Sequence, residues 1–488
     1  MADKSAISWT DATWNCITGC TKVSQGCKAC YMFREYPRLA RMGVRGYKGG
    51  SPEMVRCWPD KLDVPLRWKR PRKVFVVSMG DPFHKDVPDA FIDKIMAVMA
   101  MSDWHSYQLL TKRPERMRDY LSDSGLAFRI QRATDCILVD RAMRGVEEEW
   151  RQVIGFEGHY EVSNFGRLRS KTGRVLSPRE HSQGYASVAL SKYGEVTECL
   201  VHNLVLTAFD YPRAEGVETR HRNQDKRDNR IANLSWGTRT QNMDDASRHG
   251  TAGKWMKSRG TLTTEQVREI RSRRAKGEKL DDIAEAVGSN RKQVCGVALG
   301  KLYVEADLKL PLPQLWLGVS VEDQKTADER IPLLLQTPAA VRFVSLEPML
   351  GPVDLGTWLP IHPYHFSDCY CAKCADNRIT LGVDDGNTRW LDLVILGGES
   401  GPEARPFNSE WARNMVAQCK AAEVSCYVKQ LGARPQDSLS RTKDWPEWRD
   451  RCHQLDNSTM WLRLKNRKGG DPSEWPEDLR VREFPEVK

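Results

Sequence analysis

A polar segment in the middle of the chain, residues 221–242, combines the side chains needed to cut a phosphodiester with one metal ion. It begins at His221, passes through a turn rich in Asn and Asp, and ends near Asn242 in a stretch that can continue as a helix. An imidazole can take a proton from an attacking water, and side-chain oxygens can hold a divalent cation on the scissile phosphate. The order and types of these residues therefore predict a metal-dependent phosphodiesterase site.

The two ends of the chain have the alternating pattern of a parallel α/β sheet. Short apolar runs predict buried strands at 73–78, 107–111, 315–321, 341–346, 391–396 and 427–430. Between them, the spacing of apolar residues predicts helices at 89–101, 114–121 and 323–336. This rhythm favours parallel strands joined by crossover helices. Its interruption after about residue 145 and its return after 312 predict one α/β domain split by an insertion.

The insertion has a different pattern. From Trp150 to Leu190 the sequence predicts short strands separated by turns, and from Thr263 to Tyr303 it predicts helices. Thr263 with Gln266 forms a potential capping box, and Gly288 lies in the turn between two short helices. Three short helices with such a turn favour a helix-turn-helix.

Charge and composition indicate a nucleic-acid partner and a cytosolic location. The net charge is +10, and residues 149–310 hold 28 Lys and Arg against 21 Asp and Glu. A basic excess of this kind suits a polyanion. The sequence contains no apolar run near the roughly 20 residues that span a bilayer and no apolar signal core at its start. Fourteen cysteines in a cytosolic chain favour metal sites or plain thiols over disulfides.

The insertion resembles HNH homing endonucleases. The segment 150–170 is similar to the small module that precedes these nucleases, and 201–205 with 221–242 is similar to the HNH fold (two strands and a helix around a metal). The resemblance implies that His221 is the general base, that Asn229 holds the loop and the imidazole in place, and that Asn242 binds Mg²⁺. Asp225 and Asn223 are weaker candidates for the metal. Some family members have an acidic ligand directly before the base, whereas this chain has Arg220.

The same resemblance implies double-stranded DNA as the partner. DNA-binding candidates are two arginines of the module and four residues of the helical tail: Arg167, Arg169, Asn290, Arg291, Lys292 and Gln293. Lys and Arg would contact phosphates, and Asn and Gln would contact base edges. A solvated charged face is the alternative for the tail, and a packed structural role is the alternative for His202.

Cysteines near the start of the chain form a second constellation. Cys20, Cys27 and Cys30 have C-x6-C-x2-C spacing, and Cys16 lies four residues before Cys20. Three thiolates can bind three irons of a [4Fe–4S] cluster, while four cysteines can close a zinc site. A second cysteine group, 369, 371 and 374, is a weaker candidate metal site.

The regions 5–125 and 312–487 resemble a phage-associated three-cysteine family that is similar to radical-SAM enzymes. The motifs that carry this resemblance are 78–81, 110–116, 345–348, 397–402 and 468–470. It implies a cluster on the cysteines and S-adenosylmethionine near Gly397, Gly398 and Glu399. A plain strand-to-loop turn is the alternative for these three residues. The family also implies the cytoplasm of a phage-infected or prophage-bearing bacterial cell.

The leading interpretation is a DNA endonuclease inserted into a radical-SAM-like protein. The fold class is α/β: a parallel (β/α) host domain resembling part of a barrel, interrupted by an α+β HNH insertion (ββα-metal) with a small helix-turn-helix. The predicted parts are host domain 1–145 and 312–488, nuclease-associated module 148–200, HNH endonuclease 201–252 and helix-turn-helix 261–305. Alternatives are a radical enzyme with a passive insertion, a DNA-binding protein with a decayed nuclease, and a mobile intron read through as coding sequence.

Overall fold

Seven parallel strands dominate the first of two compact units in the computed structural model. This unit comprises Met1–Asp123 and Leu310–Lys488, and the second comprises Ser124–Lys309. The structure describes residues 5, 7–210, 213, 215–248, 266, 269–270, 273–274, 278–289, 291, 294–295, 308, 310–360, 389–438, 452–456 and 458–485.

Within those residues the strands are β1 (Ala12–Trp14), β2 (Ile17–Thr18), β3 (Arg56–Cys57), β4 (Lys73–Val76), β5 (Ser106–Thr111), β6 (Trp150–Gln152), β7 (Tyr160–Ser163), β8 (Leu168–Ser170), β9 (Val175–Leu176), β10 (Arg179–Glu180), β11 (Ala186–Lys192), β12 (Glu195–Leu200), β13 (Val217–His221), β14 (Leu234–Thr238), β15 (Leu315–Ser320), β16 (Val341–Leu346), β17 (Leu393–Gly397), β18 (Phe407–Asn408), β19 (Ser425–Gln430), β20 (Pro435–Ser438), β21 (Cys452–Gln454) and β22 (Thr459–Leu462). The helices are α1 (Tyr31–Arg41), α2 (Asp89–Met101), α3 (Pro114–Leu121), α4 (Leu126–Ala142), α5 (Val201–Phe209), α6 (Arg239–Arg248), α7 (Leu280–Ala286), α8 (Gln324–Gln336) and α9 (Ser409–Ala421).

The large sheet has the order β1-β4-β5-β15-β16-β17-β19, which follows the chain. All its neighbouring strands pair in parallel. Every residue of β15 and β16 is buried, as expected for a parallel sheet covered on both faces. The predicted parallel α/β sheet is therefore confirmed, while its likeness to part of a barrel stays a prediction.

The sheet is continuous across the insertion. Strand β5, the last before the insertion, pairs directly with β15, the first after it, from Tyr107 opposite Leu315 to Thr111 opposite Val319. The two pieces of the interrupted unit therefore build one sheet. A mobile intron read through as coding sequence would not require the sheet to be continuous across the insertion.

Local chemistry explains where the predicted elements begin and end. Helix α2 spans the predicted residues, and α8 begins after Asp323, whose side chain accepts a hydrogen bond from the Thr326 backbone in a capping box. Strand β4 ends two residues before its predicted end because Val77 adopts a positive φ of 60°.

The second unit contains small antiparallel sheets around an apolar core. Its sheets are β6-β7-β8-β9, β10-β11-β12 and β13-β14. Helix α5 contributes Val201, Val205 and Leu206 to a core that also includes residues of β7, β8, β11 and β14. Trp236 is partly buried and packs against the same core. Strands β13 and β14 with helix α6 form the predicted arrangement of two strands and a helix.

Only part of the helical tail is described. Ile270, Ile283 and Val294 form a small buried cluster with neighbours on α7, and Gly288 has a φ of 63° that suits a turn after this helix. Thr263 of the predicted capping box, and Asn290, Lys292 and Gln293 of the predicted DNA-binding set, lie outside the described residues, so the helix-turn-helix stays a prediction.

No helix within the described ranges has both the length and the apolar character needed to cross a membrane.

Candidate functional site

The hairpin of β13 and β14 separates the predicted site residues onto two faces. In a strand, alternate side chains point to opposite faces, so Thr219 and His221 share one face while Glu218 and Arg220 share the other. Thr219 donates a hydrogen bond to the Asn203 carboxamide of α5, at 2.7 Å. Glu218 and Arg220 instead bond side chains of α6. The two helices therefore lie over opposite faces of one short strand.

His221 ends β13 in a buried aromatic environment. The residue is only 4% exposed. The centroid of its ring lies 5.2 Å from the ring centroid of His202 and 5.8 Å from that of Tyr185. The Nε2 atom is buried and has no hydrogen-bond partner among the described residues. Burial lowers the pKa of His221, against the opposing effects of the adjacent Asn229 carboxamide and the nearby carboxylate of Asp228. At neutral pH the imidazole is consequently neutral and able to accept a proton.

His202 supports this ring from helix α5. The residue is 4% exposed, and burial together with the charge of neighbouring His221 lowers the pKa of His202 to about 3. Its Nδ1 atom is also buried without a partner among the described residues. A neutral His202 packed edge-on against His221 agrees with its predicted structural role.

Asn233 holds the loop that follows His221. Its carboxamide accepts a hydrogen bond from the Asn223 backbone at 3.0 Å and donates one to the Asp228 carbonyl at 2.8 Å. Asn229, the predicted holder of the loop, donates to the Arg227 carbonyl at 3.2 Å, and its buried Oδ1 has no partner among the described residues. The sequence signal available for Asn233 was its place in an Asn-Leu-Ser-Trp run directly before and into β14.

Two weaker metal candidates also build this loop. The carboxamide of Asn223 donates to Asp228 at 2.8 Å and accepts from the Asp225 backbone at 2.9 Å. The Asp225 carboxylate accepts from the Arg227 backbone at 2.9 Å. These contacts make a turn in which both side chains are used for loop geometry.

Helix α6 places Asn242 beside a carboxylate that sequence reasoning missed. The Nδ2 atom of Asn242 donates to Oε2 of Glu218 at 3.1 Å, and both residues are partly exposed. Arg220 lies on the same face and makes a two-bond pair with buried Asp245, at 2.7 and 2.9 Å. The charge of Arg220 is therefore matched within the domain. A carboxylate and a carboxamide are oxygen donors of the kind that Mg²⁺ binds, so this pair fits the metal predicted for Asn242.

The basic candidates of the module are engaged with nearby carboxylates. Nε of Arg167 donates to Glu148 at 2.7 Å, Nε of Arg169 donates to Glu161 at 2.6 Å, and both guanidinium groups stack on Trp150. In the tail, Arg291 pairs with Asp281 at 3.0 Å.

Arg222, directly after the histidine, is different from these arginines. It is exposed, and its guanidinium makes no hydrogen bond or ion pair with any residue that the structure describes. Its position beside His221 was visible in the sequence, but its exposure was not.

The cysteine loop of the first unit is held against the carboxyl ends of the parallel strands. Arg113, just after β5, donates to Cys20 Sγ at 3.6 Å, to the Thr21 carbonyl at 3.0 Å and to Asp81 at 2.7 Å. Burial raises the pKa of Cys20 to about 11, which the guanidinium of Arg113 partly opposes. Cys20, Cys27 and Cys30 are free thiols.

Cys16 precedes this loop in the chain. It is fully buried, and its ionisable neighbours are Cys57 and Lys61. Cys16 lies between β1 and β2, and its membership of a ligand set with the other three cysteines stays a prediction. Within the described ranges, no three His, Cys, Asp or Glu side chains are arranged to hold a metal ion. The second cysteine group, 369–374, lies outside these ranges.

The Gly-Gly-Glu turn after β17 has a structural explanation. A Cβ on Gly398 would come within 2.5 Å of the Leu431 carbonyl, and one on Gly397 within 3.0 Å of the Gln430 carbonyl. The Glu399 carboxylate accepts hydrogen bonds from Arg405 at 2.7 and 3.0 Å. Close packing on the end of β19 and the residue after it therefore accounts for the glycines, and Arg405 pairs with Glu399, which is one of the residues predicted to lie near S-adenosylmethionine.

Comparison with known proteins defines the class of the insertion. Residues 148–191 match the NUMOD4 motif and residues 199–244 match an HNH endonuclease model. The chain is 33% identical over 123 residues to DNA endonuclease I-HmuI of Bacillus phage SP01, which covers 25% of this chain and 65% of that protein. It is 30% identical over 165 residues to the uncharacterized HNH endonuclease L247 of Acanthamoeba polyphaga mimivirus, covering 32% of this chain and 39% of that protein. The insertion thus contains an HNH endonuclease domain preceded by a NUMOD4 motif.

A solved structure titled DNA binding and cleavage by the HNH homing endonuclease I-HmuI is also similar. The solved chain and this chain are 28% identical in sequence, with a TM-score of 0.21. The match covers 31% of this chain and 91% of the solved chain. The chain spans less than two thirds of the length of each curated relative named above.

The rest of the chain identifies its family. Residues 4–150 and 253–464, more than half of the sequence, match the model described as protein of unknown function (DUF5131). The chain therefore belongs to the DUF5131 family. Similarity of this family to radical-SAM enzymes stays a prediction.

Proposed function

We propose that this protein is a DNA endonuclease of the homing type, with His221 as general base and a divalent metal, Mg²⁺ in the simplest case, bound through Asn242. The observation that carries the proposal is the buried, neutral imidazole of His221, whose Nε2 has no partner among the described residues, at the end of the HNH hairpin. A neutral imidazole is the form that accepts a proton from water. Relatives of the insertion that are named endonucleases support the same reaction.

The residues have separate tasks in this proposal. His221 accepts the proton of the attacking water, and Asn229 with His202 and Tyr185 limits the orientations of its ring. Asn233 holds the loop so that His221 keeps its place at the end of β13. The metal, when bound, neutralises charge on the scissile phosphate and leaving oxygen.

The division into host domain 1–145 and 312–488, module 148–200, nuclease 201–252 and tail 261–305 is part of the proposal. Double-stranded DNA is the proposed partner, contacted by the module and the tail. Arg167, Arg169 and Arg291 would have to exchange their carboxylate partners for phosphates, whereas Arg222 needs no such exchange.

The direct test is cleavage of a phage-DNA library by the full chain with and without Mg²⁺. Defined fragments that require Mg²⁺ support the proposal and map the site. DNA binding without cleavage would contradict it and favour a decayed nuclease.

Replacing Arg222 by alanine should weaken DNA binding uniformly across sequences. Because an exposed arginine beside the base would contact a phosphate, we expect the slope of log K against log salt to fall by about 1. Fluorescence anisotropy over a salt series measures this slope. Arg227→Ala is the comparison variant: its guanidinium pairs with Glu180, so a phosphate contact would first have to replace that ion pair and the slope should change less. An unchanged slope in Arg222→Ala would remove Arg222 from the interface.

The second candidate function places the activity in the first unit, as an iron–sulfur and S-adenosylmethionine enzyme carrying a passive insertion. It is favoured by the position of Cys20, Cys27 and Cys30 on one loop at the carboxyl edge of a parallel sheet, the edge at which α/β proteins bind ligands. Anaerobic purification tests it: bound iron and sulfide that disappear in Cys27→Ser would support a cluster, bound zinc would support the rival site, and metal-free protein would contradict both.

A further inference from the structure

Glu218 is the carboxylate that lies against the proposed metal ligand. It stands two positions before Arg220 on β13, so both side chains face helix α6. Its Oε2 accepts a hydrogen bond from Asn242 at 3.1 Å across the gap between strand and helix. Both residues are partly exposed, so a hydrated cation can reach the oxygen atoms.

The neighbouring charged residues, Arg220 and Asp245, leave Glu218 as the carboxylate that a cation beside Asn242 can reach. Directly before the proposed base the chain has a cation, Arg220, at the position where some HNH endonucleases have an acidic ligand. Both guanidinium bonds of Arg220 go to Asp245, whose two oxygens are thereby occupied. Asp245 is also 4% exposed, so solvent and a hydrated cation have little access to it. Glu218 is consequently the carboxylate on this face that is both accessible and in contact with Asn242.

We propose that Glu218 and Asn242 together form the divalent-metal site, with Glu218 replacing the acidic ligand missing at position 220. The inference rests on the proposed endonuclease function and adds a residue to it. Mg²⁺ is usually held by one or two carboxylates while it keeps several waters and contacts substrate phosphate. One carboxylate and one carboxamide satisfy that requirement, once rotation of the Asn242 side chain turns its oxygen toward the ion. The Arg220–Asp245 pair would fix helix α6 to β13 at the distance that both donors need.

The test is Mn²⁺ and Mg²⁺ binding by the full chain, measured by calorimetry and by electron paramagnetic resonance of Mn²⁺ in the absence of DNA. Glu218→Gln should weaken Mn²⁺ binding by about 10-fold or more, because loss of a ligand costs at least as much as loss of a supporting contact. Glu195→Gln makes the same change on exposed strand β12 and should leave affinity unchanged.

A donor exchange separates ligation from folding. The double variant Glu218→Gln with Asn242→Asp again has one carboxylate and one carboxamide, with their positions swapped. We expect its Mn²⁺ affinity to return to within about threefold of the wild type, as contacting residues are energetically coupled. A structural hydrogen bond alone would not give this recovery, and thermal unfolding without metal checks that each variant is folded.

The outcomes distinguish this inference from the proposed function. Wild-type protein that cuts DNA while Glu218→Gln binds Mn²⁺ equally well would overturn the role of Glu218 and leave the nuclease intact. Failure of the donor exchange to restore binding would also overturn it. Wild-type protein that neither binds Mn²⁺ nor cuts DNA would overturn both.

Discussion

His221→Ala should remove Mg²⁺-dependent DNA cleavage, with a fall in rate of about 10²–10⁴-fold, the usual contribution of a general base. The physical reason is the neutral imidazole at the end of β13, which His202 does not replace, because burial and the charge of His221 lower the pKa of His202 to about 3. DNA affinity should change little, because the side chain is buried and carries no charge at neutral pH.

Single-turnover cleavage of a mapped site, with binding measured in parallel, checks this result. His159→Ala is the control, since His159 is a partly exposed residue of the module that contacts Tyr193. Cleavage by His221→Ala at the wild-type rate would assign the base to another residue. Loss of DNA binding together with cleavage would instead indicate that the hairpin has unfolded.

Acidification should destabilise the unit at 124–309 by several kcal/mol. The pKa of His202 falls from its ordinary 6.5 to about 3 in the folded protein, because burial and the charge of His221 disfavour its protonated form. A histidine with a lower pKa in the folded state takes up its proton mainly on unfolding. Its stabilising effect is therefore present above about pH 6.5 and decreases as the pH falls toward about 3. The shift at His202 corresponds to a loss of up to about 5 kcal/mol in the free energy of unfolding. The lowered pKa of His221 decreases the stability in acid in the same direction.

Hydrogen exchange of the full chain, followed by mass spectrometry on peptides from 186–238, measures this dependence region by region. His202→Phe keeps an aromatic ring of similar shape but removes the titrating group, so protection should vary less between pH 7 and pH 4.5. His159→Phe should retain the wild-type dependence. Equal acid sensitivity in His202→Phe and wild type would show that other groups control the stability of this unit.

The chemistry of the insertion was open to sequence reasoning because its determinants are local. A histidine, an Asn- and Asp-rich turn and the start of the following helix lie within 22 consecutive residues, 221–242, and strand and helix periodicity depends on near neighbours. The same holds for the parallel sheet, whose buried strands read as continuous apolar runs. Family matches to the HNH and NUMOD4 segments confirm the class of domain that these residues predicted.

Only the tertiary structure decided which of these side chains meet. The pairing of Arg220 with Asp245, and of Glu218 with Asn242, joins residues 24 or 25 positions apart through the packing of α6 on β13. The different ionisable neighbours of Cys16 and Cys20 likewise arise from the path of the chain, since spacing along a sequence does not specify direction in space. Residue type and local periodicity predicted the elements and the kind of chemistry. Burial, charge pairing and the choice of face depend on contacts between distant segments, which form only when the chain packs.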